Sequence, residues 1–221
     1  MCGRYGFIKP NQGYERFNLV QPFPPMKPRY NVAPSQEMPV IVKKDMGNVA
    51  EIMRWGLIPS WVKDPKIANM MINARAETLD KKPSYAKPFR TNRCLVPATG
   101  FFEWMDTPPG RLPYYIHLKD DEIFAFAGLY DINDKIESKP VKTYTIITTE
   151  PNGIIAQIHN RMPVIFNRAT EKIWLDPTII DTQKLLGLLQ SYPSNLLDVY
   201  PVSKSVGNPA NDYPEIINPE K

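Results

Sequence analysis

The sequence predicts an α+β fold with a curved, barrel-like, mostly antiparallel β core and a few flanking helices. Three observations predict it. Runs rich in β-branched and aromatic residues recur between Pro39 and Phe166. Helical patterns are few and short. Strands and helices do not alternate as a parallel βαβ sheet requires.

In chain order, GYERFNLV has the spacing of a first helix. QPFPPMKPRYNVAPSQ is Pro-rich but carries apolar anchors, which predicts an ordered loop. PVIVKK, VAEIMRWGLIP, RCLVP, GFFEWM, PYYIHL, EIFAFAGLYD, KTYTIITT and MPVIF read as strands. NGIIAQIH reads as a second helix, and DTQKLLGLLQSY as the clearest, with leucines at helical spacing. SVGNPANDYPEIINPEK reads as a tail wrapped on the surface. Proline occupies 24 of 221 positions, about twice ordinary usage, and its spread along the chain, without a low-complexity run, predicts stiffened loops.

A chain of 221 residues without a Gly/Ser linker or a repeat of fixed period predicts one domain over 1–221. No apolar run approaches the roughly 20 residues of a membrane helix, so no membrane partner is expected. The start lacks an apolar signal region, and there are two cysteines, which predicts a reducing, bacterial-type cytoplasm. Two histidines and two scattered cysteines have no metal-ligand spacing, so no metal is expected. The net charge of +4 permits a polyanionic partner without demanding one.

Four stretches offer chemistry. The chain opens MCGRYGF, and loss of Met1 would place an amine and a thiol on adjacent carbons of Cys2. With ordinary pKa values of about 7.7–8.0 and about 8.5, both groups have a reactive fraction near neutral pH. An aldehyde would form an imine with the amine, and the thiol would close a five-membered thiazolidine. The same terminus suits acyl transfer, with the amine as base for its own thiol. A third reading is an ordinary early strand residue.

In MINARAET, Asn73, Arg75 and Glu77 alternate with alanines, which in an extended segment puts three polar groups on one face. Arg75 offers a fork for phosphate, and Asn73 a donor and an acceptor to orient an amine. A structural Arg75–Glu77 pair fits the pattern equally. Glu103, among Phe101, Phe102 and Trp104, is set for a raised pKa suited to proton exchange, or for neutralisation by an arginine. His159 stands beside Arg161 at an element boundary, whereas His117 and Cys94 read as structural.

Two basic and aromatic stretches complete the set. KKPSYAKPFRTNR interleaves Lys81, Lys82, Lys87, Arg90 and Arg93 with Tyr85 and Phe89. RWGLIPSWVKD places Trp55 and Trp61 around a proline turn. Cations with aromatic platforms hold single-stranded nucleic acid; a solvated charged face beside core aromatics has the same composition.

MCGRY, RYNVAPSQ, RWGLIPSW, NARAET, RCLVPATGFFEW, HNRMPVI and VGNPANDYPE occur in that order. The set resembles the SOS-response-associated peptidase (SRAP) family, the abasic-site-processing proteins, over essentially the whole chain. The resemblance implies a single SRAP-type domain with a positively charged groove for single-stranded DNA. It implies a cross-link to abasic sites as a thiazolidine through Cys2; nothing in the sequence suggests more than a monomer, and no cofactor is expected. In matching positions Cys2 is the nucleophile and Asn73 positions its amine. Glu103 assists ring opening and proton transfer, and His159 acts in proton transfer and in reversal of the cross-link. Arg4, Arg75 and Arg161 hold flanking phosphates, and Trp55 and Trp61 support bases or wedge a strand junction. Phe102 stands where the family commonly has tyrosine, so any role of that hydroxyl is absent. Two other readings remain: a thiol peptidase, whether general or confined to its own Met1, and a non-covalent single-strand-binding module.

Overall fold

In the computed structural model, which describes residues 2–108 and 110–220, two sheets share one core. The elements run β1 (Arg4–Phe7), α1 (Pro10–Arg16), β2 (Arg29–Val32), β3 (Glu37–Lys44), β4 (Gly47–Trp55), β5 (Asn73–Arg75) and α2 (Pro83–Thr91). They continue with β6 (Arg93–Ala98), β7 (Gly100–Thr107), β8 (Gly110–Leu118), β9 (Phe124–Asn133), β10 (Val141–Thr149), β11 (Met162–Pro163) and β12 (Ile165–Phe166). The chain finishes with α3 (Arg168–Leu175), α4 (Thr182–Gly187) and β13 (Leu197–Pro201).

β4, β3, β6, β9 and β10 pair in that order, and β10 returns to pair with β4, closing a five-stranded barrel. Closure is mixed, because β10 runs parallel to β4 while the other pairs are antiparallel. Gly56, at φ +119, turns the chain out of β4; a Cβ there would lie 2.7 Å from the Ala68 carbonyl oxygen. The second sheet, β13-β8-β7-β1-β2, is antiparallel throughout.

β1 ties the two sheets together. Tyr5 packs edge-on against Trp55 (5.2 Å between centroids) and Phe126 (5.9 Å), and its hydroxyl meets that of Tyr144 at 2.8 Å. Trp55 and Tyr144 stack in turn. A closed barrel of this size is filled by side chains, and here aromatics do the filling.

The predicted strand runs all form strands, but β4 ends at Trp55 and leaves GLIP outside it, and MPVIF is divided into β11 and β12 around Val164; β2, inside the Pro-rich stretch expected to be a loop, and β13 are unanticipated. The helices differ. α1 starts earlier than expected and ends at Arg16, with Asn18 at φ +48 past its end. NGIIAQIH makes a single 3-10 turn, Ile155–Gln157. α4 stops at Gly187, because glycine costs about 1 kcal/mol in a helix interior. α3 is unanticipated; its signal was Asn167, whose side chain accepts from the Thr170 N–H. α2 is also unanticipated and forms despite Pro88, with Tyr85, Pro88 and Phe89 buried and Phe89 against Trp174. No helix among the described residues is long and apolar enough to cross a membrane.

Candidate functional site

Cys2 precedes β1, whose Arg4 stands opposite Phe102 of β7 in antiparallel register. That register brings Cys2 and Glu103 to the same end of the two strands. Cys2 is fully buried, and its Sγ lies 3.7 Å from the Arg4 carbonyl oxygen. Burial raises its thiol pKa far above the ordinary value, and the Glu103 charge adds to the shift. Glu103 is 2% exposed. Burial pushes its carboxyl up to about 7, so both protonation states are populated near neutrality.

Asn73 reaches Cys2 from the barrel. Its Nδ2 donates to the Cys2 carbonyl oxygen at 2.8 Å. Its own backbone is placed twice, by parallel pairing of β5 with β10 (Asn73 opposite Ile146) and by the Tyr85 hydroxyl, which donates to the Asn73 carbonyl. The Asn73 Oδ1 is buried with no hydrogen-bond partner among the described residues. A buried acceptor left open beside the Cys2 backbone suits a group that arrives later, such as an N–H.

β10 carries the same frame to His159 and Arg161. Thr148 stands opposite Arg75 on one edge and Pro163 on the other. Its carbonyl accepts from Arg161 at 2.6 Å. His159 Nδ1 lies 3.1 Å from the Arg161 backbone N–H and 3.2 Å from the Arg161 carbonyl oxygen, so Arg161 can partner that nitrogen in either tautomer of the neutral ring. Burial lowers the His159 pKa and favours that neutral ring. On the other flank, Arg4 donates to the carbonyls of Gly3 (2.9 Å) and Gly207 (3.4 Å).

Several expected placements need correction. Trp55 is 0% exposed and donates from Nε1 to the Ile72 carbonyl, so it is a barrel-core residue and cannot support a DNA base. Trp61 is 57% exposed on a loop held by Asp131, which accepts from the Ser60 N–H, and by Asn133, which donates to the carbonyls of Pro59 and Val62. The alternating face of NARAET ends at Ala76, where a 3-10 turn over Ala76–Thr78 begins. Glu77 therefore swings to Arg161, in a fork-to-fork pair at 2.7 and 3.0 Å, and not to Arg75, which is exposed. Arg161 is thus already engaged at the position expected to hold a phosphate.

Tyr85 and Phe89 are buried and offer no stacking platform, while Lys81, Lys82, Lys87 and Arg90 are exposed. Arg93 is 6% exposed and donates to five backbone carbonyls. His117 is buried beside Tyr115 and Tyr200, and Cys94 lies in the core. The tail is docked, with Val206 and Ile216 buried against Phe102 and Tyr115.

Three contributors escaped the sequence reading. Tyr85 drew notice as a platform, whereas its hydroxyl supports Asn73. Glu77 was read with Arg75 as its partner, whereas it pairs with Arg161. The Gly207 carbonyl has no sequence signal. Met1, whose loss the Cys2 chemistry needs, lies outside the described residues. A cleft of about 630 Å³ between α1, the β3–β4 turn and α3 contains none of the site residues. Among the described residues no group of three His, Cys, Asp or Glu side chains is placed to hold a metal ion.

The family model described as SOS response associated peptidase (SRAP) matches residues 1–209. The chain is 46% identical over 221 residues to the abasic site processing protein YoqW of Bacillus subtilis, covering 98% of this chain and 99% of that protein. It is 32% identical to the abasic site processing protein HMCES of Gallus gallus, over 87% of this chain and 66% of that one. A crystal structure of a protein from Bacteroides thetaiotaomicron matches the whole fold with a TM-score of 0.90 at 30% identity, covering all of both chains.

Proposed function

This chain belongs to the SOS response associated peptidase (SRAP) family, and from that premise we propose that it processes abasic sites by linking Cys2 covalently to single-stranded DNA. The observation that carries the reading is the convergence of Asn73 and Glu103 on Cys2. One group grips the residue's backbone, and the other is a carboxyl with a pKa of about 7.

The chemistry follows in balanced steps. Loss of Met1 turns the Cys2 amide nitrogen into an amine. A wholly buried Cys2 must also be uncovered before it meets an aldehyde. The ring-opened deoxyribose presents its C1′ aldehyde. Nitrogen attacks that carbon, and the carbinolamine loses water to give an imine, with Glu103 donating the proton that the departing oxygen takes. Sulfur then adds to the imine carbon, and its proton passes to the ring nitrogen. Amine, thiol and aldehyde become one thiazolidine and one water. A carboxyl near pH 7 serves both directions of proton transfer. Asn73 holds the nitrogen-bearing residue in place, which lowers the entropic cost of the attack. Neutral His159 serves as a second proton carrier at the sugar.

The positively charged side chains supply affinity for a strand without a base to read. Arg4 and Arg75 fit that role, and Arg161 does so if phosphate replaces Glu77 on its guanidinium. Trp61 is available for stacking.

The test is intact mass and denaturing electrophoresis after mixing with a uracil-excised single-stranded oligonucleotide. The expected product is a heat-stable adduct whose mass equals protein without Met1 plus DNA minus one water. Cys2→Ser keeps the amine and gives only a hydrolysable imine. No adduct from wild-type protein lacking Met1 overturns the reading, and turnover of peptide without DNA points to a thiol peptidase.

A further inference from the structure

We propose that Asp212 and Asn31 are positioning residues for Arg4: they clamp the loop 203–218 so that the Gly207 carbonyl holds the Arg4 guanidinium. The proposal rests on the reading of Arg4 as a phosphate-holding residue.

The clamp is visible at three levels. At its base the loop is closed by the bridge between Val202 and Pro219. On its inner side Val206 and Ile216 are buried against Phe102, the neighbour of Glu103 in β7. At its far end Asp212 meets β2. One carboxylate oxygen accepts from the backbone N–H groups of Tyr30 (2.6 Å) and Asn31 (3.0 Å). The other accepts from Arg29 Nε at 2.5 Å. β2 is the outermost strand of its sheet, and Asp212 thus satisfies donors that an edge strand would leave open.

Asn31 secures the loop from within. It is 0% exposed, and its Nδ2 lies 3.1 Å from the carbonyl oxygens of Val206 and Asn208 and 2.9 Å from that of Asn211. The first two of those carbonyls flank Gly207. The backbone on both sides of the Gly207 carbonyl is therefore held, and that oxygen meets Arg4 at 3.4 Å across a separation of 203 residues. The other Arg4 contact, to the Gly3 carbonyl, is made by the residue's own neighbour and moves with the terminus. Beyond the strand pairing of its backbone, the loop is what fixes the Arg4 guanidinium relative to the rest of the sheet. The family model ends at residue 209, so Asp212 lies beyond it.

The experiment is a double-mutant cycle between Asp212→Ala and Arg4→Ala, read by fluorescence anisotropy on an intact single-stranded oligonucleotide across a salt series. Each single variant is expected to weaken binding about tenfold, as loss of a charge-assisted contact would. Each lowers the salt slope by about 0.7, the loss of one phosphate contact on a single strand. The double variant is expected to be no weaker than Arg4→Ala alone. Multiplied losses, or an unchanged salt slope for Asp212→Ala, overturn the proposal; a merely destabilised fold would lower the melting temperature without this coupling.

If Asp212→Ala does not fold, Asp212→Asn replaces it, with a smaller loss expected in the same direction and none in the Arg4→Ala background. Solvent exchange of the Arg4 Nη protons, which make the Gly207 contact, gives a readout independent of DNA: slow in the wild type, at least tenfold faster in the Asp212 variant. Equal exchange in both overturns the proposal. Failure of the thiazolidine reading shows separately, as normal binding and normal coupling with no adduct.

Discussion

The Asn73 side-chain amide donates a 2.8 Å hydrogen bond to the carbonyl oxygen of Cys2, joining the barrel to the start of the other sheet. Asn73 opens β5, and Cys2 precedes β1. Neither strand would place the contact alone. Parallel pairing with β10 presents Asn73, and Tyr5, seated in the barrel core, draws β1 toward it.

Asn73→Ala leaves the Cys2 carbonyl buried without its donor, at a cost of about 1–3 kcal/mol. Asn73→Asp faces that carbonyl with a second acceptor and is expected to be worse. Single-turnover adduct formation should fall on the order of tenfold or more for alanine and further for aspartate. An aspartate variant as fast as wild type would remove Asn73 from the mechanism.

Glu103 makes stability depend on pH in a stated direction. Its folded pKa of about 7 lies above the ordinary 4.5, so the folded state binds more protons than the unfolded chain between those values. Stability from this group is therefore greatest at low pH and falls as pH rises from 4.5 through 7. The full penalty above pH 7 is on the order of 3 kcal/mol. Glu103→Gln lacks that penalty. Urea melts at pH 5 and pH 8 should show the variant gaining on wild type by that order, while its adduct formation slows more than its binding of intact DNA. A stability difference independent of pH would show that the carboxyl does not titrate there.

The two tryptophans of RWGLIPSW should separate cleanly. Trp55→Ala empties the barrel core and is expected to cost about 3–5 kcal/mol of stability. Trp61→Ala should leave the melting temperature nearly unchanged and weaken single-stranded DNA binding by about 1–3 kcal/mol, the worth of one stacked base. Thermal melts and anisotropy on both variants decide the matter; a destabilised Trp61→Ala with normal DNA affinity would make Trp61 a loop-packing residue.

The strands were legible because β-branched and aromatic runs declare themselves locally. The helices were less so. Pro88 argues against a helix that Phe89–Trp174 packing nevertheless stabilises, and Gly187 cuts short a leucine pattern that continues past it. Trp55 and Trp61 look alike in sequence, and only Gly56, turning the chain between them, puts one inside the barrel and the other in solvent.

By itself the sequence determined the strand-rich composition, the ordered motifs that mark the family, and the presence of an early cysteine, a carboxyl among aromatics, an amide and a histidine. Which of these meet was decided only by tertiary structure. Asn73 and Cys2 are 71 positions apart, and Glu77 and Arg161 are 84. Pairings at such range come from barrel closure and strand register, which depend on the packing of the whole core rather than on any local propensity.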